Sequence, residues 1–330
     1  MPRTRLYRNG VLEHDDVPWP EALALLHDET ALLWIDYVAP TQAELDEIGG
    51  ALSLHPLAIE DALHPHQRPK LNRYDTHQFL AAYLLLMGAD AEDDAAKTAS
   101  LRRYEIDAFI TERALITVRP NEDFSMKGVL ERWDGHPDLA TCGVNFLLWG
   151  LLDVVIDSHF DTVQLLDEAI ERLEDDVLDP APHIRTIQAS SYRLRKDLVL
   201  LRRLTLPMRD VVSSLLRSSA EAGGSRLLPY YQDLYDHVLR VTDWAESLRD
   251  LVSTVIDTNM TNQSNRMNLV MKKVTSWAAI IAVPTLITGF FGQNLTFPLI
   301  NTVPGFWISC VLMVAASAVL YLQFKGRDWL

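Results

Sequence analysis

Two long uncharged apolar runs near the end of the chain constrain its fold more than any other feature. Val274–Phe291 has 18 residues and Phe306–Phe324 has 19, and neither contains a charged side chain. Each run is long enough to cross the hydrocarbon core of a bilayer as a helix. The ten residues Leu295–Pro304, which lie between them, are uncharged and contain two prolines. The sequence therefore predicts two transmembrane helices joined by a short outer loop.

Basic residues flank both runs. Lys272 and Lys273 precede the first run, and Lys325 and Arg327 follow the second. Positive charge collects on the cytosolic side of a membrane, so both ends of the hairpin are expected inside. The alternative is a buried helical hairpin in a soluble core, which basic residues on both flanks disfavour. We expect a multi-pass protein of the inner (cytoplasmic) membrane with both termini in the cytosol.

The beginning of the chain does not resemble a secretory signal. Residues 1–30 contain three arginines, but acidic residues interrupt the stretch where the apolar core of a signal peptide would lie. The start of the chain is therefore expected to stay in the cytosol.

The overall charge and the motif content exclude several classes of function. The formal net charge is −15 and the pI is about 5.0, which argues against a nucleic-acid partner. Cys142 and Cys310 are far apart in sequence, so neither a disulfide framework nor a cysteine zinc site is expected. The sequence lacks a P-loop, a nucleophile elbow and an HExxH motif, and we do not expect an enzyme.

Residues 1–140 are predicted to form a mixed domain of strands and short helices. Residues 31–38 (ALLWIDYV) form a continuous apolar run typical of a buried strand. Thr41 and Glu44 have the spacing of a capping box, and Pro56 is typical of a first helical position. Further strands are expected over 78–87, 101–110 and 113–118, the last two as a hairpin.

From Cys142 onward the apolar period becomes helical. Helices are predicted over 144–178 and about 183–221, forming an antiparallel pair within residues 141–225. The tip of this pair, 167–179, contains seven acidic residues and one arginine. It is either an ordinary solvated helix end or a surface that gathers cations.

A third helix is predicted from near Arg226 to Phe291. It would have about 66 residues and a length on the order of 100 Å, which is too long for a globular domain. We divide it into a stalk, 226–273, and a first span, 274–291. A motif and outer loop (292–304), a second span (305–324) and a basic tail (325–330) follow. The predicted fold is an α+β cytosolic domain, a long stalk helix and two transmembrane helices.

Two spans cannot enclose a path for a polar solute, so a pore would need a ring of subunits. A stripe of small, neutral or polar residues with one acid recurs along the third helix at spacings of three, four or seven, which also suits an ordinary helix-packing face. Its members are Asp257, Ser264, Met267, Met271, Val274, Ala278, Ala282 and Thr285. The segment 258–268 adds four asparagines, which either face a wide vestibule or cap a kink.

Four parts of the chain resemble the CorA superfamily of divalent cation channels and transporters. They are HPLAIEDALHPHQRPKLNRYDTHQFL (55–80), YYQDLYDH (230–237), MNLVMKKVTSWAAIIAVPTLITGFFGQN (267–294) and the terminal WL (329–330). A GxN tripeptide alone is a weak signal, but here it follows PTLITGFF at the end of the first of two C-terminal spans. The order of cytosolic domain, stalk, two spans and short loop also resembles the family.

The resemblance implies a homopentameric funnel with an axial pore lined by the first span. It implies that Gly292, Gln293 and Asn294 form the outer selectivity filter, with Asn294 facing the ion, and that the stripe from Thr285 to Asp257 lines the pore. It also implies an inter-subunit regulatory metal site and a basic collar at the inner mouth of the pore. The regulatory residues would be Glu60, Asp61 and Asp233, and the collar residues Lys325 and Arg327.

The ion is the least constrained of these expectations. The magnesium branch of the family usually has GMN and often an acidic outer loop, whereas this chain has GQN and an uncharged loop. Amide oxygens can bind an ion that keeps its water shell, as Mg²⁺ does. The path from Ser253 to Asn294 contains no histidine or cysteine, the ligands typical of zinc. We therefore expect Mg²⁺ first, with Co²⁺, Ni²⁺ or Zn²⁺ as further possibilities.

Two alternatives remain open at this stage. One is zinc transport coupled to protons, as in the ZntB branch, which also departs from GMN. The other is a non-conducting sensor anchored in the membrane that binds metal or a partner on its cytosolic side. Four histidines within 23 positions bear on the second alternative, because together they could form a transition-metal sensor. The other interpretation is that they are ordinary loop and helix-start residues. They are His55, His64, His66 and His77.

Overall fold

A computed structural model describes residues 2–329, apart from residues 27, 29, 65–67, 90–98, 180–183, 222–225 and 294–301. The chain divides into two compact units, Met1–Thr254 and Val255–Leu330. The boundary between them lies inside the longest helix rather than in a loop.

The first unit contains one seven-stranded sheet. The strands lie side by side in the order β2-β1-β3-β7-β6-β5-β4. Only β3 and β7 are parallel, and each other neighbouring pair is antiparallel. The strands are β1 (Arg3–Arg8), β2 (Val11–Asp15), β3 (Ala31–Val38), β4 (Lys70–Arg73), β5 (Gln78–Ala89), β6 (Ala99–Ile110) and β7 (Ala114–Arg119).

Helices cover both faces of this sheet. Successive residues of a strand point to opposite faces, so Leu33 and Ile35 pack beneath α1, α2 and α3. Leu32 and Trp34 pack on the other face against α4, α5, α6 and the first turns of α7. A sheet covered on both faces needs apolar residues on both, which explains the continuous apolar run of β3. The helices are α1 (Trp19–Leu25), α2 (Gln42–Leu52), α3 (Pro56–Leu63), α4 (Lys127–Asp134), α5 (Val144–Leu178), α6 (Ile184–Glu221), α7 (Leu228–Phe291) and α8 (Val303–Lys325).

The local sequence signals of the first unit are confirmed where they were predicted. Thr41 and Glu44 form the capping box at the start of α2, and Pro56 occupies the first turn of α3. The hairpin of β6 and β7 and the paired helices α5 and α6 are also present. The strands β1, β2 and β4 and the helices α1 and α4 were not predicted, because segments of eight residues or fewer carry little periodic signal.

A buried ion pair joins the carboxyl ends of the two parallel strands. The Asp36 side chain on β3 and the Arg119 guanidinium on β7 are both buried, and Arg119 Nε donates to Asp36 Oδ1 at 3.1 Å. Thr117 Oγ1 donates to the same oxygen at 2.7 Å, and Trp34 Nε1 donates to Thr117 Oγ1 at 3.1 Å. Because these polar groups satisfy one another, they can stay in the apolar interior.

The third helix is continuous and differs from the prediction only at its start. It begins at Leu228 rather than near Arg226, with Pro229 in its first turn, where a proline costs no hydrogen bond. Its 64 residues continue through Pro284 to Phe291. The second unit consists of the end of α7 and of α8, and both helices are apolar and long enough to cross a membrane. The finer domain limits given above remain predictions.

A fully buried histidine ties the helix pair to the sheet. His159 lies on α5, and its Nε2 is 2.7 Å from the carbonyl oxygen of Tyr83 on β5. Its Nδ1 is 3.3 Å from Thr205 Oγ1 on α6. Burial disfavours the charged imidazolium and lowers the pKa of His159 to about 4. The native protein therefore holds this ring neutral at neutral pH.

This buried ring predicts a contribution to acid sensitivity. Below the ordinary histidine pKa of 6.5 the unfolded chain binds a proton that the native ring binds only near pH 4. The free energy of unfolding should therefore fall as pH drops from about 6.5 to 4, by about 3 kcal/mol for this group. We expect His159→Gln to reduce the pH dependence of the thermal midpoint in this window. An unchanged pH profile in the purified full-length variant would contradict the assignment.

Candidate ion pathway and regulatory metal site

The eight stripe residues share one face of α7. They follow one another at spacings of three, four or seven, and at about 100° per residue they fall within an arc of about 100°. All eight, from Asp257 to Thr285, are exposed in the single chain. Asp257 and Ser264 lie at the start of the stripe and Thr285 lies at its end. The residues between them are Met, Val and Ala.

The second apolar helix lies against a different face of α7. Val283 of α7 lines an apolar groove together with Trp307, Val311 and Ala315 of α8. Ser276 is fully buried, and its Oγ donates to the carbonyl oxygen of Lys272 at 2.8 Å. By helical spacing, Val283 and Ser276 lie on roughly the opposite side of α7 from the stripe. Within this unit α8 therefore leaves the stripe open.

The hydroxyl groups of the first span are satisfied by their own helix. Thr285 Oγ1 donates to the carbonyl oxygen of Ile281, and Thr288 Oγ1 donates to that of Thr285, both at 2.9 Å. Such bonds let threonine stay in an apolar environment without a partner from another helix. These side chains keep lone pairs that can accept hydrogen bonds from a water molecule.

The predicted filter begins where α7 ends. Gly292 N donates to the carbonyl oxygen of Thr288 at 2.9 Å, and Gln293 N donates to that of Phe290 at 3.4 Å. A side chain at Gly292 would place its Cβ 3.0 Å from the oxygen of Thr288, so a glycine suits this turn. Gly292 and Gln293 are exposed. Asn294 lies outside the described residues, and the filter remains a prediction.

The asparagine-rich segment and the basic tail are also placed by the structure. α7 stays helical throughout 258–268, so these asparagines neither end nor cap a helix. At the end of α8, Lys325 Nζ lies 5.8 Å from the ring centre of Tyr321, and both Lys325 and Arg327 are exposed. Phe324 stacks on Trp329 with ring centres 5.8 Å apart, which folds the tail back on the helix end.

The predicted regulatory residue Asp61 already has a cation beside it. Asp61 lies on α3, and its Oδ2 is 2.6 Å from Lys70 Nζ on β4. Both side chains are three-quarters buried or more, so the pair is only partly screened by water. The neighbouring Glu60 is exposed.

A second buried carboxyl group lies close to this pair. Ala81 of β5 pairs with both Lys70 of β4 and Asp107 of β6, which places the lysine and the aspartate on the same face of the sheet. Asp107 is 3% exposed, and its Oδ1 has no hydrogen-bond partner. Burial raises the pKa of Asp107 well above the ordinary value, Glu105 adds to this, and the ammonium of Lys70 opposes it. Lys70 and Asp107 were not among the site residues predicted from the sequence, although the acidic residues at positions 105 and 107 of an apolar strand were a usable signal.

The other predicted regulatory residue lies on the long helix. The side chain of Asp233 is 63% exposed, and its Oδ1 lies 3.8 Å from His237 Nε2 one turn further along α7. Within one chain, therefore, Asp61 and Asp233 have separate partners. In the described part of the chain, no three histidine, cysteine or acidic side chains are grouped closely enough to hold a metal ion.

The histidines of the 55–77 region have local roles. His55 Nδ1 accepts from Leu57 N at 3.2 Å at the start of α3, and its ring stacks on Tyr74 with centres 4.6 Å apart. Tyr74 stacks in turn on His77, with centres 4.9 Å apart. His64 Nδ1 lies 2.9 Å from the carbonyl oxygen of Glu60. His66 lies outside the described residues. These contacts favour helix-start and stacking roles over a metal sensor.

Comparison with known proteins identifies the family. The family described as "CorA-like Mg2+ transporter protein" matches residues 29–325. The chain is 27% identical to the cobalt/magnesium transport protein CorA of Thermotoga maritima, over 94% of this chain and 87% of that protein. It is also 27% identical to the zinc transport protein ZntB of Yersinia pseudotuberculosis, over 90% and 87% respectively.

The fold agrees with this match. The CorA magnesium transporter structure from Methanocaldococcus jannaschii superposes with a TM-score of 0.77 at 22% identity, covering 100% of this chain and 99% of that one. The full-length CmaX structure superposes with a TM-score of 0.69 at 18% identity. The chain belongs to the CorA-like family and is a membrane protein with two apolar helices at its C-terminal end.

The Asp61–Lys70 pair predicts how this site responds to charge removal. Lys70→Met leaves a largely buried carboxylate without its ammonium. The free energy of unfolding without divalent ions should therefore fall by about 1–3 kcal/mol, and the thermal midpoint should fall with it. Added Mg²⁺ should restore part of the loss, because a cation at Asp61 replaces the missing charge. Lys127→Met, which removes an exposed lysine, serves as the control. A Lys70→Met midpoint that Mg²⁺ leaves unchanged would show that Asp61 does not attract the ion.

Proposed function

We propose that this protein moves hydrated divalent cations of the Mg²⁺, Co²⁺ and Ni²⁺ type across the inner membrane, through an axial pore in a ring of five identical chains. The observation that carries the proposal is one continuous helix, α7, which begins in the cytosolic unit and ends at the GQN motif. Its stripe is exposed and lies away from α8. In a ring, these stripes would meet around the axis.

The chemistry of the stripe suits an ion that keeps its water. Asp257 would place a ring of carboxylates at the cytosolic part of the path and attract cations. The hydroxyl of Thr285 and the amide groups of Gln293 and Asn294 would accept hydrogen bonds from a hydration shell without replacing it. Between these ends the path is neutral and would bind the ion weakly, as conduction requires.

Gating by cytosolic metal follows from the position of the acidic groups. Asp233 is exposed on α7, and Glu60 is exposed on α3 beside Asp61. A divalent ion held between Asp233 of one chain and the Glu60–Asp61 pair of the next would relieve carboxylate repulsion and clamp the ring closed. Lys70 would weaken this clamp by competing with the ion for Asp61.

A second candidate is zinc transport coupled to protons. The similarity to the Yersinia protein named zinc transport protein ZntB, at the same 27% identity as to the Thermotoga CorA, favours it, as does GQN in place of GMN. The path lacks histidine and cysteine from Ser253 to Asn294, which favours the first candidate.

Ion flux into vesicles containing the purified protein tests the proposal. We expect uptake of Mg²⁺, Co²⁺ and Ni²⁺ that does not depend on a pH gradient. Zinc uptake that requires a proton gradient would replace the first candidate by the second. Absence of flux for all four ions, with the protein inserted in the correct orientation, would favour the non-conducting sensor.

The filter is tested by two substitutions. Asn294→Ala removes a ring of acceptors, and an unsatisfied hydration shell costs on the order of 1–3 kcal/mol, so flux should fall about tenfold or more while the oligomer survives. Gln293→Met recreates the GMN triplet and should shift the order of ion preference. If neither variant changes flux or ion ranking, this segment is not the filter.

The gating site is tested at Asp233 on α7, because Asp233 is not paired with a lysine in the way that Asp61 is paired with Lys70. Asp233→Lys supplies a fixed positive charge in place of the ion, so protease sensitivity of the cytosolic unit should become less dependent on Mg²⁺. Asp236→Lys makes the same charge change at another exposed position of α7 and should leave the Mg²⁺ dependence intact. Equal Mg²⁺ protection of the Asp233→Lys variant and the parent protein would place the gating site elsewhere.

A further inference from the structure

Exposed apolar side chains of the first unit concentrate on the α5–α6 pair. Among the described residues before Val255, nine large apolar side chains are exposed, and five of them lie on these two helices. Isolated exposed apolar side chains are common, but a concentration on one element indicates a contact surface. The five are Leu165, Leu178, Tyr192, Val199 and Leu206.

Three of these residues form a row along α6. Tyr192, Val199 and Leu206 are seven residues apart and are 74%, 55% and 37% exposed. A seven-residue spacing keeps side chains on one side of a helix over several turns, as in the seam of a coiled coil. The core-facing side of α6 is formed by other residues, among them Leu198 and Leu201. α6 therefore presents a second apolar side to solvent.

Arginines recur along α6 at the same seven-residue spacing as these apolar residues. Arg195, Arg202 and Arg209 each lie three positions after an apolar member, and Lys196 and Arg203 lie beside them. Arg202 is 3.7 Å from Glu246 of α7, and Arg209 is 3.9 Å from its neighbour Asp210. Arg195, Lys196 and Arg203 make no ion pair with any described residue. We call Tyr192, Arg195, Val199, Arg203 and Leu206 the basic row.

The exposed side of α5 has the opposite charge at the same spacing. Asp161, Glu168 and Asp175 are seven residues apart and all exposed, and we call them the acidic row. Glu168 makes a 4.0 Å contact with Arg172 of its own helix. No described ion pair joins the acidic row to the basic row within one chain. The apolar Leu165 lies between the first two acids.

We infer that the basic row of one chain docks on the acidic row of a neighbouring copy of the same chain. The charges Arg195 and Arg203 are about 12 Å apart along α6 and those of the acidic row about 10.5 Å apart along α5, close enough for opposite charges to pair and set the register. Tyr192, Val199 and Leu206 would bury their exposed surface in this contact. Because the two rows are on different helices, one copy can offer its basic row to one neighbour and its acidic row to another, which is the heterologous contact that closure of a ring requires. The inference deepens the proposed function by assigning a subunit contact outside the membrane.

Photo-crosslinking tests the contact directly. The photo-reactive residue benzoylphenylalanine is placed at Val199 of the full-length protein in lipid vesicles, and at the exposed Val11 of β2 as the control position. We expect the Val199 probe to join two chains, with the crosslink on α5 between residues 161 and 178. Crosslinks confined to one chain, to lipid or to other regions of the neighbouring chain would overturn the inference.

Charge reversal tests the register. Arg195→Glu with Arg203→Glu should lower the stability of the oligomer, measured by native mass spectrometry at decreasing protein concentration, by about tenfold in the dissociation midpoint. Glu168→Lys with Asp175→Lys should do the same, and the combination of all four should restore the parent midpoint. Lys127→Glu on α4 is the control and should have no effect.

The outcomes separate this inference from the proposed function. If the parent protein is a ring that conducts ions, but the combined variant is no more stable than either double variant, the contact is wrong and the proposed function stands. If the parent protein forms no oligomer at all in lipid, the pore of the proposed function fails together with this contact.

Discussion

The continuity of α7 is the constraint on which the rest of the structure depends. Its first turns pack against the sheet through Tyr231 and Leu234, and its last turns form the first apolar span. A helix transmits displacement along its axis because each residue is bonded to the residue four positions away. Asp233 and the stripe therefore lie on one continuous helix. In the proposed function, regulation and permeation would be joined by one helix without an intervening loop.

In the proposed gating, cations act on a group of acidic side chains near Lys70. The Lys70 ammonium lies 2.6 Å from Asp61 and acts to lower the pKa of Asp107, which is buried with one oxygen unsatisfied. Burying several carboxyl groups near one another is costly unless positive charge or protonation offsets it. Lys70 supplies that charge within the chain. In the proposed gating, a divalent ion at the exposed side of Asp61 would add to it and so alter subunit contacts.

Much of the fold was predictable because its signals are local and strongly periodic. The helix limits of α5, the capping box at Thr41 and the two spans follow from spacing and hydropathy alone. The short strands β1 and β4 were missed, because strands of six and four residues with several charged or polar side chains have no clear alternation. Lys70 and Asp107 were missed for a different reason: they become neighbours only through the register of three strands. The helical period placed the stripe residues on one face, and the proposal that they line a pore rests on the family resemblance.

Accessibility of the stripe during transport tests the central claim most directly. In a background with Cys142→Ser and Cys310→Ser, cysteines are placed at Ala278, on the stripe, and at Ile280, on the opposite side of α7. A small cationic thiol reagent added to conducting vesicles should block divalent flux through the Ala278→Cys protein and leave the Ile280→Cys protein active. Equal block of both variants, or block of Ile280→Cys alone, would contradict a path along this face of α7.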